Sequence, residues 1–135
     1  MLNQKSDGYN PMRWNCEKDG CFNKKCRPKI EIFAECFPGR INFGDVDAIV
    51  EINGKGLILE WKCYSTNIPM GQKIMYERLT KSGLISVLAV HGSAETMDVK
   101  EFCWFKEGKQ SHWWPATINS IKKEIMNWVE LNKSI

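Results

Sequence analysis

The strongest hydrophobic signal in the chain is the run from Leu84 to Val90, apolar except at Ser86. It is the mark of a strand buried on both faces. Ahead of it, Val46 to Ile52 reads Val-Asp-Ala-Ile-Val-Glu-Ile, rich in β-branched residues, and predicts a strand. Asn53-Gly54 is the clearest turn signal in the sequence and joins it to a second strand, Gly56 to Cys63. Pro69 opens a helix that reaches Ser82, where Gly83 takes the C-cap position. Pro28 opens an earlier, shorter helix through Ile30, Glu31, Phe33, Ala34 and Phe37, and Pro38-Gly39 stops it. Arg40 to Phe43 is a brief extended piece, and a further strand is expected at about Lys100 to Phe105. Pro115 begins a last helix, whose apolar positions Ile118, Ile121, Ile125, Trp128 and Val129 fall at helical spacing. Residues 14–27 have neither period and read as an irregular loop or a metal-organised knuckle. The order of elements predicts a mixed α/β fold. An irregular Cys-rich segment over 1–27 precedes one folded domain over 28–135.

Composition narrows this only modestly. A chain of 135 residues is one domain by size and can bury a core without disulfides. The formal charge is +3, from 19 basic and 16 acidic side chains, which permits a nucleic-acid partner without indicating one. The basic cluster Lys24, Lys25, Arg27 and Lys29 reads more simply as a solvated face. With no apolar run of membrane-spanning length and no leader-like start, the expectation is a cytoplasmic protein with reduced cysteines.

The chemistry is concentrated on the hairpin. With a tight turn at Asn53-Gly54, Ile52 faces Lys55 and Asp47 falls opposite Glu60; with a loop two residues longer, Asp47 falls opposite Lys62. Side chains alternate with period two, so Asp47, Glu60 and Lys62 share a face under either register. Two carboxylates side by side repel, and burying them is costly unless a cation lies between them. Magnesium suits one or two carboxylates completed by waters and phosphate oxygens. A lysine beside it is placed to orient a water or neutralise charge developing on a phosphate. The competing reading is a ladder of surface ion pairs on an exposed hairpin face.

Gly44-Asp45-Val46-Asp47, followed thirteen positions after Asp47 by Glu60-Trp61-Lys62, resembles the core motif of the PD-(D/E)XK nuclease superfamily. The order of elements over residues 28–91 is also similar to that family's restriction-endonuclease-like core: a helix, a three-strand meander, a helix and a fourth strand. The closest flavour is the small stand-alone type of phages and mobile elements. The family's naming proline is absent, with Val46 in its place. The resemblance implies that Asp47 and Glu60 bind Mg2+ or Mn2+, with the Trp61 carbonyl as a further ligand, and that Lys62 is the family lysine. It implies a Glu from the first helix, for which Glu31 is favoured over Glu35. It also implies a polar residue on the helix after the second strand, where Gln72 stands. DNA, branched or single-stranded, is the implied substrate, and a homodimer is the form in which such enzymes often cut both strands. The alternative is a catalytically silent nuclease-fold module, a phage adaptor or inhibitor that binds nucleic acid or a protein.

Cys16, Cys21 and Cys26 are evenly spaced, with Cys36 ten positions on. That spacing lies at the loose end for a structural zinc site, and reduced thiols without a common partner are the competing reading. Trp128 and Trp61 are expected in the core. The Trp113-Trp114 pair is either packing or a platform for unpaired bases. His91 and His112 have no partners at metal-ligand spacing, and no role is assigned to either.

Overall fold

The computed structural model describes residues 28–64 and 66–133. The chain divides into two compact units, Met1–Asp45 and Val46–Ile135.

In the first unit, a 3-10 helix spans Ile30–Cys36 and buries no residue. Its tighter winding changes the relation between the two candidate acids. Side chains three apart eclipse in a 3-10 helix, so Glu31 and Glu35, four apart, do not share a face as they would on an α-helix. Phe33 and Phe37 both meet Phe43 edge-on. Arg40 to Phe43 is not a strand: Ile41 N–H turns back to the Pro38 carbonyl across Gly39, whose φ is 60°.

The second unit is a six-stranded sheet with a helix in contact with each face. Strands β1 (Ala48–Ile52) and β2 (Lys55–Lys62) form an antiparallel hairpin. The turn residues Asn53 and Gly54 both have positive φ, 51° and 83°, as the tight hairpin turn requires. Helix α1 (Met70–Thr80) then carries the chain across to β3 (Ile85–Gly92), which lies parallel to β2. β4 (Val99–Lys106) runs antiparallel to β3 and pairs on its other side with β5 (Lys109–Gln110) and β6 (Trp114–Pro115). Helix α2 (Ile118–Lys133) closes the chain. Among the described residues β1 pairs only with β2 and forms the sheet's rim.

This is an α/β fold, as the sequence predicts, but with two strands before α1 among the described residues instead of a three-strand meander. The last helix also begins later than Pro115. Pro115 belongs to β6, and the Ala116 N–H bonds the Lys100 carbonyl. Thr117 takes over as the helix N-cap: its hydroxyl accepts the Ser120 N–H at 3.2 Å and its carbonyl accepts the Ile121 N–H.

Alternation along β2 divides the core in two. Leu57, Leu59 and Trp61 face α2, packing with Leu88, Val90, Trp104, Ile121 and Trp128. Ile58 faces α1, packing with Tyr76, Val87, Ala89, Cys103 and Phe105. Val87 to Val90 are wholly buried, the expected behaviour of a central strand. Each large apolar side chain buried there contributes roughly 1.5–3 kcal/mol relative to exposure. Trp61 lies close over Gly92 and donates its indole N–H to the Gly92 carbonyl at 3.2 Å. A Cβ on Gly92 would stand 2.7 Å from that ring and from the Asp98 carbonyl, so this crossing requires glycine.

Candidate functional site

The hairpin adopts the tight register, Ile52 opposite Lys55 and Ala48 opposite Leu59. Asp47 stands one step beyond that last pair, level with Glu60. Its carboxylate accepts the Trp61 backbone N–H at 2.6 Å, which fixes it against β2. Glu60 lies on the α1 side of the sheet and is only 5% exposed. That burial rules out the surface ladder of ion pairs as a description of Glu60.

Three donors surround the Glu60 carboxylate. Tyr76 donates its hydroxyl to Oε2 at 2.8 Å. Lys62 Nζ lies 3.2 Å from Oε1, and Gln72 Nε2 reaches the same oxygen at 3.4 Å. Gln72 and Tyr76 are four apart on α1, so one face of the helix brings both to the strand. The amide oxygen of Gln72, Oε1, is buried without a hydrogen-bond partner. A buried orphan acceptor costs free energy, and a cation or ordered water is the usual remedy.

Tyr76 is held well above the ordinary tyrosine range, chiefly by burial, then by its hydrogen bond to Glu60 and by the negative charges of Glu60 and Asp47. The two carboxylates therefore act on one phenol. Tyr76→Phe leaves Glu60 Oε2 without its donor and is expected to cost about 1–3 kcal/mol at neutral pH, read by urea denaturation. The fold raises the ionisation of Tyr76 from 10.0, so its contribution to stability is complete below pH 10 and is lost as the pH climbs further. The melting temperature of the wild type should fall more steeply above that pH than that of Tyr76→Phe.

Gln72, Glu60, Lys62 and Asp47 are thus brought together. Glu31 belongs to the other unit, on the wall of a cavity of about 300 Å3 that it shares with Ala34, Asn42, Phe43 and Asp45. Cys16, Cys21 and Cys26 lie outside the described residues; Cys36 is exposed. Among the described residues no three His, Cys, Asp or Glu side chains gather in a group that would hold a metal. The donor set at the hairpin is a smaller one: the Asp47 and Glu60 carboxylates with the orphan Gln72 oxygen. Such a set fits magnesium, which takes one or two carboxylates and completes its shell with water and phosphate. It does not fit a cation that needs an all-protein cage.

Two residues of this region are not singled out by sequence reasoning. Tyr76 sits one helical turn beyond Gln72, a spacing visible in advance. His91 lies opposite Lys62 in β3 and opposite Glu101 in β4. It is 5% exposed and stacks on Trp113, with ring centroids 4.2 Å apart. Trp113 is therefore spoken for by packing, whereas Trp114 keeps 44% exposure beside Phe102.

No protein-family model, no curated protein and no solved structure matches this chain.

Proposed function

We propose that this chain is a divalent-metal-dependent deoxyribonuclease with a restriction-endonuclease-like core. The observation that carries the reading is the burial of Glu60 beside Asp47 and Lys62 on one hairpin face. A buried carboxylate with a second one beside it is an expensive arrangement, and a cation-binding role accounts for it. Asp47 and Glu60 would hold the metal, with the Gln72 oxygen and the Trp61 carbonyl as further acceptors. Magnesium bound there supplies Lewis-acid polarisation of a phosphoryl oxygen and a lowered pKa for water.

The protein's own part is geometric and electrostatic. The Trp61 N–H holds one Asp47 oxygen, which fixes the direction of the other. Tyr76 and Gln72 keep the Glu60 carboxylate in one orientation. Lys62 brings a positive charge to the place where a phosphate oxygen gains negative charge as water adds and the phosphodiester P–O bond breaks. DNA as the partner and a homodimer as the acting form belong to the same proposal.

The test is incubation with plasmid, linear, single-stranded and branched DNA, with Mg2+, with Mn2+ or with chelator. Cleavage of at least one substrate is expected with metal and none with chelator. One observation favours the silent module: both Glu60 oxygens already have protein donors. DNA binding without cleavage in every metal arm would select it.

The described residues contain no helix long and apolar enough to cross a membrane.

A further inference from the structure

His91 is a buried titratable group that the catalytic proposal does not use. Its Nδ1 lies 2.8 Å from the Glu101 carboxylate on β4, and its Nε2 lies 2.7 Å from the Thr66 carbonyl. Each ring nitrogen thus faces an oxygen on a different element, the Glu101 carboxyl on one side and the Thr66 carbonyl on the other. With both nitrogens engaged, none is left to bind a metal. Its plane is fixed as well, by the stack on Trp113.

The place of Thr66 gives the contact its meaning. It lies on the connection that leaves β2 at Lys62 and enters α1 just before Gln72. The two ends of that connection supply two of the three donors on Glu60. Thr66 also closes a turn there, its N–H on the Cys63 carbonyl at 3.0 Å. A second tether, Tyr64 hydroxyl to the Asp98 carbonyl at 2.9 Å, holds the exposed side of the same connection.

We propose that His91 is a positioning residue: it clamps the β2–α1 connection to β4 and so sets where Lys62 and Gln72 meet Glu60. The clamp rests on geometry alone, while its catalytic consequence rests on the nuclease reading.

His91→Phe keeps a ring against Trp113 and loses both hydrogen bonds. His91→Gln, which keeps one N–H donor group, is the companion variant should the first fail to fold. Hydrogen exchange of the Thr66 amide and DNA cleavage are measured on both, in the full chain. Thr66 exchange should quicken about tenfold or more in His91→Phe while the buried β3 amides stay protected, with His91→Gln in between. On cleaved DNA, kcat should fall about tenfold to a hundredfold with KM nearly unchanged, because misplaced groups slow the chemical step. Thr66 exchange equal to wild type in both variants overturns the clamp. Quickened exchange with kcat unchanged removes its catalytic role. A wild type that cleaves nothing removes the nuclease reading instead, and the exchange comparison then decides the clamp.

Discussion

Glu60→Gln is expected to lower metal-dependent DNA cleavage by about a thousandfold while the protein stays folded. Removing a group that stabilises charge in a transition state costs on the order of 10²–10³ in rate, and loss of the metal adds to it. Glutamine has nearly the shape of glutamate, and its amide oxygen can still accept the Tyr76 hydroxyl. The other end changes character. Where Oε1 receives Lys62 and Gln72, an amide nitrogen would present hydrogens to two donors. Lys62 also loses its counter-charge, but its side chain is 18% exposed and has water available. The stability change should therefore stay within about 2 kcal/mol. Initial cleavage rates with circular dichroism melting measure both quantities. Cleavage within a few-fold of wild type would remove Glu60 from the mechanism.

Lys62→Met should act in the opposite electrostatic sense. The methionine fills much the same volume, and Glu60 keeps Tyr76 and Gln72 but loses its cation. A buried carboxylate stripped of its ion-pair partner is destabilising, by about 1–3 kcal/mol here once partial exposure of the lysine is allowed for. A divalent ion at the same place would replace the missing charge. Magnesium should therefore raise the melting temperature of Lys62→Met more than that of the wild type, since a ligand that binds only the folded state stabilises it. Cleavage should still fall about a hundredfold or more, because the metal restores the charge balance but not the ammonium. Equal magnesium shifts in the two proteins would mean that no cation binds beside Glu60.

The hairpin is legible in the sequence because its determinants are local. Asn53-Gly54 tolerates positive φ at both positions, and that turn fixes the register that sets Asp47 level with Glu60. β3 is legible because a central strand needs no polar face. Helix α1 is legible as a helix but not in its orientation. It buries Tyr76 and Thr80 while Met70, Met75 and Leu79 are exposed, the reverse of what apolar periodicity suggests. The reason is the carboxylate it faces: Tyr76 is inward to serve Glu60, and the Thr80 hydroxyl returns to the Tyr76 carbonyl. His91 is not legible for another reason. Its partners lie 10 and 25 residues away and meet only when β3 pairs with β4 and the connection folds over. At the start of α2 the proline rule points to Pro115 but competes with a Thr-Ser cap two residues later, and the cap prevails.

The outermost position of β1 gives the two acids unequal footing. Glu60 is carried by a strand flanked on both sides and is gripped by a helix; Asp47 stands at the root of a five-residue strand that, among the described residues, is paired on one side only. The pair of carboxylates thus has one stiff member and one that can yield. If metal and DNA bind here as proposed, adjustment to cations of different radius, or to a bulkier backbone at a DNA junction, would fall to the Asp47 side. Substitutions that loosen the hairpin's outer arm should accordingly alter which ion or substrate is accepted before they unmake the fold.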